Sequence, residues 1–505
     1  MNETVHQHLV PNPQHPLQKK LPLPLLWIGA TVILCGLFTL ASVPRAEAQG
    51  RDTNQQTWRY TSIMQNVFDF IQKHYVEDVD PQTLYEGAMK GMFNALGDPY
   101  STFLAEKEMM DLNETTQGNF GGVGLYISKP ERGAEGKPPY VEVAAPIEDT
   151  PGWRAGINPG DLIIEINGEP TDGLSMDDVL ARLRGEPGKE VKLLIRRNEK
   201  FEFPVTLMRA LIEVPTTKYA MIQDVGYLKL LTFTPRTLDR AKEAIESFKA
   251  HNYRSIILDL RNNYGGLLQS AVGISDLFLD EGVVVSTKSR IPSENTVFNA
   301  RKQTLVPQDI PVIVLINRGS ASASEIVAGA LKDRGRAYLV GEKSFGKGSV
   351  QQVYPLDKAG FKITTARYYT PSEVNIDKIG IPPDLEVKFP EFTEADAEQL
   401  TALITANRIP AFIKANPQAT SAEIAAFARV LTQEYHLDTG LLRRLIRNEQ
   451  HRTTQAPVYD LEYDVQLQEA VKILQGGTYG VLMQTTKTLK VLQEEAILED
   501  IPLAS

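Results

Sequence analysis

Cysteine is almost absent: the single one, Cys35, lies in an apolar stretch near the N-terminus. The body of the chain therefore has no disulfide framework, no Cys-ligated metal site and no Cys nucleophile. Histidine is scarce as well. Of the seven, His6, His8 and His15 sit in the N-terminal segment, and His74, His436 and His451 fall in stretches that read as helical flanks. His251 alone lies where strands and helices alternate, at a helix-to-strand junction that suits an exposed turn residue. A Ser–His–Asp triad has little to build on. Long runs of one charge are missing too. A net charge of -10 gives no sign of a nucleic-acid partner, which calls for a basic patch or stripe.

What is present is ordinary in bulk. At 505 residues the chain exceeds a single core, so several domains are expected. Hydrophobic residues at 42% and charged residues at 23% suit a soluble globular body. No internal repeat stands out.

The first 48 residues read as an address. Lys19 and Lys20 precede an uncharged apolar run over 21–43, and Ala46-Glu47-Ala48 supplies small residues at an A-x-A site. That is the pattern of a secretory signal peptide. The run is also long enough to span a bilayer, with the lysines held on the cytoplasmic side. Leu34 before Cys35 is too bulky for a lipoprotein site. Export to the periplasm is expected, either soluble after cleavage or anchored in the inner membrane by residues 21–43.

Residues 55–112 read as an N-terminal helical segment. Apolar positions in 63–71 recur near the 3.6 period, and a second helical stretch, 84–96, stops at Gly97-Asp98-Pro99. Between 113 and 209 short β-rich runs appear at 123–127, 140–143, 162–166, 191–195 and 203–207, punctuated by Pro159-Gly160 and Asn167-Gly168 turns. One helix, 176–183, sits among them. From 211 to 390 strands at 255–260, 312–316 and 337–340 alternate with helices at 267–277 and 322–332, as in βαβ units around a partly parallel sheet. Residues 391–505 read as a polar helical extension with a linker at 452–457.

Three segments carry chemistry. In Val312-Ile313-Val314-Leu315-Ile316-Asn317-Arg318-Gly319-Ser320-Ala321-Ser322-Ala323-Ser324-Glu325 a buried strand passes through small residues into a helix. A nucleophile at such a turn is exposed, and nearby N–H groups can face an oxyanion. Ser322-x-x-Glu325 fits a helix capping box equally well. The second segment, Gly341-Glu342-Lys343-Ser344-Phe345-Gly346-Lys347-Gly348-Ser349-Val350-Gln351, offers a base: burial disfavours a charged amine, so Lys347 can replace histidine. Gln351 could hydrogen-bond that amine without adding charge, although a lone lysine is more often solvated. The third, Ile256-Ile257-Leu258-Asp259-Leu260-Arg261-Asn262-Asn263-Tyr264-Gly265-Gly266, ends a strand in a Gly-Gly turn whose N–H groups can point at a ligand.

Together these segments resemble the C-terminal processing, or tail-specific, peptidases. Those enzymes carry a G-[ST]-A-S-A-S-E serine segment, a Y/F-G-K-G-x-x-Q lysine segment and a D-L-R-x-N-x-G-G strand. Lys347 follows Ser322 by twenty-five residues, as in that family. Met92-Phe93-Asn94-Ala95-Leu96-Gly97-Asp98-Pro99-Tyr100-Ser101 and Gly380-Ile381-Pro382-Pro383-Asp384 extend the likeness over 60–390. It implies Ser322 as nucleophile, Lys347 as general base, Gln351 as its orienter, Gly266 and Ala323 as oxyanion N–H donors, and Asp259, Arg261 and Glu325 in support. Tyr264 stands where the family often has proline. Ser320 and Ser324 are left to packing or capping.

Gly122-Val123-Gly124-Leu125 resembles a PDZ carboxylate-binding loop, and Ala155-Gly156-Ile157-Asn158-Pro159-Gly160-Asp161 with Ile166-Asn167-Gly168 resembles the PDZ turn and following strand. The resemblance thus implies a multidomain α/β protein: a Ser–Lys protease core (211–390) with a mixed, partly parallel sheet, an inserted β-rich PDZ domain (113–209), and helical N- and C-terminal segments. It implies cleavage of exported proteins near C-termini that the PDZ domain grips by strand addition, with no metal or cofactor. The resemblance further implies a regulated enzyme in which the PDZ-like domain blocks or opens access to Ser322; the helices of 391–505 could form a homo-oligomer or bind an adaptor or activator protein, and equally fit a structural cap. A non-catalytic PDZ adaptor is the alternative. An α/β hydrolase of small esters would need a usable histidine and a G-x-S-x-G elbow.

Overall fold

The computed structural model describes residues 46–129, 140–198, 200–302, 304–389, 393–451 and 457–499. The expected address over 21–43, with Lys19, Lys20 and Cys35, lies outside the described residues, as does most of the linker at 452–457. No helix among the described residues is long and apolar enough to cross a membrane. The chain divides into two compact units, one up to Met89 and one from Lys90 onward.

In the first unit the helix Ala46–His74 leaves Trp58, Tyr60, Ile63, Met64, Val67 and Phe70 exposed. A second helix, Pro81–Asn94, begins with the proline that suits a first helical position.

The second unit is built on a six-stranded sheet in the order Thr217–Ile222, Val225–Leu230, Ser255–Asp259, Val312–Ile316, Tyr338–Gly341 and Leu385–Glu386. The first pair is antiparallel and the rest are parallel. Parallel strands need both faces covered, which is why 256–258 and 312–316 are continuously apolar. Ile256, Leu258, Val312, Val314 and Ile316 point into one core, under the helices Thr237–Ala250, Leu268–Asp276 and Ala323–Asp333. Ile257, Ile313, Leu315, Tyr338 and Val340 point to the other face.

That second face is covered by the far C-terminus. Leu467, Ala470 and Ile473 of the helix Val465–Gln475 complete its core, and Leu489 reaches the first core. The expected extension 391–505 therefore has two parts. Residues 393–451 form a helical cluster of their own around Leu403, Ala428, Leu431 and Leu442. Residues 457–499 are a structural layer of the sheet.

A second, five-stranded sheet pairs Thr102–Leu104, Ser349–Leu356 and Val283–Ser289 with the long strand Ala359–Tyr369, and Thr296–Asn299 with Val283–Ser289. The PDZ-like segment forms a separate antiparallel sheet, Leu125–Ser128, Val141–Pro146, Leu162–Ile166, Glu190–Arg197 and Phe201–Met208, around its own core of Val141, Val143, Ile163, Ile195 and Val179. The helix Met176–Leu183, N-capped by Ser175, lies beside it.

Candidate active site

The parallel strand Val312–Ile316 ends at a turn whose last residue, Ser322, has φ 54° and ψ -113°. A non-glycine residue holds that conformation only when its surroundings enforce it. Here the enforcement is visible. Ser320 Oγ accepts the Asn317 N–H at 3.0 Å and donates to Leu260 O at 2.8 Å. The Ala321 N–H (3.0 Å) and Ser324 Oγ (2.8 Å) both donate to Asn263 O. The two flanking serines thus pin the turn to the neighbouring strand end through hydrogen bonds.

Only half of the capping box forms. Glu325 Oε2 accepts the Ser322 N–H at 2.8 Å, but the Ser322 hydroxyl makes no cap bond and stays free for chemistry. Glu325 does more than cap. Fully buried, it also accepts the N–H groups of Gly346 (2.7 Å) and Lys347 (2.9 Å) and the Ser344 hydroxyl (2.6 Å). One carboxylate therefore ties the serine turn to the lysine loop. Burial pushes its pKa above the usual carboxylate range, against the pull of the Ser344 hydroxyl and the three N–H groups. Tyr368 adds a second tie, its hydroxyl bridging Lys347 O and, at 3.2 Å, Ser322 O.

Burial lowers the Lys347 amine from its ordinary value, and the like charge of Lys362 lowers it further; Asp98 and Glu325 oppose them. Lys347 Nζ lies over the Tyr100 ring, 4.6 Å from its centroid, a cation–π contact, and is not hydrogen-bonded to Ser322 Oγ. Asp98, beneath it, accepts the hydroxyls of Ser101 and Thr364 and the Tyr100 N–H. Burial alone would raise Asp98, but those donors and Lys347 bring it below the usual range. The Gly97-Asp98-Pro99-Tyr100-Ser101 block thus forms the floor of the lysine site, a role its sequence did not disclose. Gln351 is not on the amine: its Nε2 donates to Ser349 Oγ (2.9 Å) and Thr364 Oγ1 (3.2 Å).

The Gly-Gly turn faces the serine. A Cβ on Gly265 would lie 2.8 Å from both Ser322 Cβ and Ala321 O, and the φ of 102° there suits only glycine. The Gly266 and Ala323 N–H groups find no acceptor among the described residues, an arrangement that fits oxyanion donors. Behind the turn, Asp259 is fully buried and accepts the Tyr227 hydroxyl and the Arg261 N–H, Nε and Nη2. Arg261 overcomes the burial that would raise Asp259, bringing it to about 2.

The Gly122-Val123-Gly124-Leu125 loop leads into Leu125–Ser128, which pairs with Val141–Pro146 and forms the edge of its sheet among the described residues. Gly124 has φ 75°, and a Cβ there would lie 2.2 Å from Thr150 Cβ. A groove of about 250 Å³ runs between this edge and the helix Met176–Leu183, lined by Val123, Leu125, Ile127, Leu180 and Leu183.

A serine turn tied to a part-buried lysine loop by one buried carboxylate, and a glycine turn facing the serine, are the parts of a serine hydrolase, and the sheet-edge groove is that of a PDZ module. Family comparisons agree. Residues 224–387 match the model of peptidase family S41, 142–197 a PDZ domain, and 31–108 the activating protease CtpB N-terminal domain. The carboxy-terminal-processing protease of Bartonella bacilliformis is 37% identical over 364 residues, covering 71% of this chain and 82% of that one. The carboxy-terminal processing protease CtpA of Bacillus subtilis is 32% identical over 334 residues, covering 66% and 70%. A solved photosystem II D1 C-terminal processing protease is 29% identical, covering 66% of this chain and 94% of that one, with a TM-score of 0.39. The chain belongs to peptidase family S41, among the carboxy-terminal processing proteases. It is a serine-type endopeptidase with a PDZ domain, not a non-catalytic adaptor.

Proposed function

We propose that this protease cleaves exported proteins near their C-termini, with Ser322 as nucleophile and neutral Lys347 as general base. Lys347 takes the Ser322 proton as Oγ attacks the peptide carbonyl. The oxyanion meets the Gly266 and Ala323 N–H groups, the amine returns the proton to the leaving nitrogen, and water, activated by the same amine, releases the acyl-enzyme. The amine must leave the Tyr100 ring to reach the hydroxyl. Gln351 supports it through Thr364 and Asp98. The observation that carries this reading is the buried Glu325 carboxylate, which accepts N–H groups from both Ser322 and Lys347.

The substrate tail adds as a strand beside Leu125–Ser128, with its carboxylate in the 122–125 loop. The leader over 21–43 places the enzyme in the periplasm, soluble or anchored. Since 457–499 is committed to the sheet, any adaptor or self-contact made by the extension falls to 393–451; the light-scattering mass of the full chain reports the latter.

The test is full-length Ser322→Ala with a tail-bearing protein. Expected are retained binding and loss of hydrolysis by about 10⁴-fold or more. Unchanged cleavage would refute the assignment. Sequencing the trapped proteins' ends then identifies the substrates.

A further inference from the structure

We propose that Asp464, beyond the matched family segment, is a positioning residue for the oxyanion turn, acting through Arg261. This deepens the Ser322–Lys347 reading and rests on it.

Arg261 opens the 261–266 turn and is 5% exposed. Its guanidinium has five N–H groups and no way to shed its charge. Asp259 accepts Nε at 2.9 Å and one Nη2 hydrogen at 2.7 Å. Asp464 grips the far side as a fork, 2.7 Å from Nη1 and 2.6 Å from Nη2, and Gln466 Oε1 accepts from Nη1 at 3.0 Å. All five are thereby satisfied. With Lys229 at 3.6 Å from Asp259, two cations balance two carboxylates. Without Asp464 a buried cation would keep unpaired donors and an unbalanced charge, the costly case.

The position of Asp464 is itself fixed. It N-caps the helix Val465–Gln475, accepting the Leu467 N–H at 3.0 Å, and that helix is anchored by Leu467, Ala470 and Ile473. Gln466 Nε2 also donates to Val387 O at 2.7 Å. On the other side of Arg261, Leu260 O and Asn263 O are the acceptors that pin the serine turn. A shift of Arg261 therefore moves both the Gly266 N–H and the seat of Ser322. Through Arg261 the C-terminal layer adds an anchor from outside the matched segment to the turn on which both halves of the site are seated.

The experiment uses full-length wild type, Asp464→Asn, Gln466→Met and Ile473→Ala with a tail-bearing peptide substrate. It reads kcat, KM, the thermal midpoint, and the rate at which a fluorophosphonate labels Ser322. Asn keeps the cap and the shape but breaks the charged fork. Ile473→Ala loosens the same helix and leaves the fork intact. Expected are a kcat and labelling loss of ~10-fold or more in Asp464→Asn with KM little changed, a smaller kcat loss in Gln466→Met, and a lowered midpoint with near-wild-type kcat in Ile473→Ala. Equal kcat in Asp464→Asn and wild type, or parallel losses in Asp464→Asn and Ile473→Ala, would overturn the proposal. Should Asp464→Asn not fold, an unchanged kcat in Gln466→Met overturns it. A wild type that Ser322→Ala matches in activity would instead sink the Ser–Lys reading.

Discussion

Glu325 Oε2 lies 2.9 Å from the backbone nitrogen of Lys347, so the loop that carries the base hangs from the helix that follows the nucleophile. The same oxygen takes the Ser322 N–H, and the alignment of the site depends on its staying an acceptor. Glu325→Gln would turn one of two acceptor oxygens into a donor facing N–H groups. The expected cost is about 2–4 kcal/mol of stability, read by urea denaturation, together with a fall in kcat. An unchanged midpoint would show that the four bonds contribute little.

Lys347 should show its environment in the pH profile. Its folded-state pKa is lowered by burial and by Lys362, so kcat/KM rises with pH as the amine loses its proton. Lys362→Met removes a like charge, raises the Lys347 value and moves that limb to more alkaline pH. The linkage has a matching sign. The unfolded chain binds the Lys347 proton more tightly, so stability is fully present above the unfolded value and is lost as pH falls through the folded one. A limb that stays in place in Lys362→Met would contradict this assignment.

Tyr368→Phe removes the hydroxyl shared by Lys347 O and Ser322 O while keeping the ring. Two half-buried carbonyls lose the donor they share, at about 1–3 kcal/mol. Denaturation and kcat should both report it, with KM for a tailed peptide unaffected.

The groove beside Leu125–Ser128 makes a separable prediction. Leu180 lines it and is only partly buried. Leu180→Glu keeps a good helix former but places charge against an apolar tail. We expect tail affinity to fall about 10-fold, or ~1.4 kcal/mol, by calorimetry, with the thermal midpoint preserved. Undiminished affinity would move the tail site elsewhere.

Residues 457–499 should be indispensable. A chain ending at His451 would bare Tyr227, Ile257, Ile313, Leu315, Tyr338 and Val340, which now face that layer. Such a chain is expected to be insoluble or to lack a cooperative melt. A soluble, cooperatively folded product would show that the layer is dispensable.

The sequence made the parallel sheet legible because strands buried on both faces write themselves as unbroken apolar runs, as in 312–316. It also marked the serine turn and the glycine turn, where runs of small residues follow the ends of two buried strands. The second sheet was harder to see. Ser349–Leu356 and Ala359–Tyr369 are half-exposed, and their mixed composition resembles loop. Gln351 was expected on the Lys347 amine because only four positions separate them. The strand that begins at Ser349 sets Gln351 opposite its register partner Thr364, and its amide donates to the Ser349 and Thr364 hydroxyls instead. Glu325 read as a cap because its i, i+3 spacing is local, whereas its bonds to 344–347 depend on the fold. Arg261 and Asp464, 203 positions apart, offered no local pattern at all.

The most direct measurement is mass spectrometry of acid-quenched enzyme during turnover of a tailed peptide. An acyl adduct on the peptide containing Ser322 is expected in wild type and none in Lys347→Met, because the amine is the base for attack. Full turnover with the adduct on another residue, or an equal adduct in Lys347→Met, would contradict the assignment of this pair.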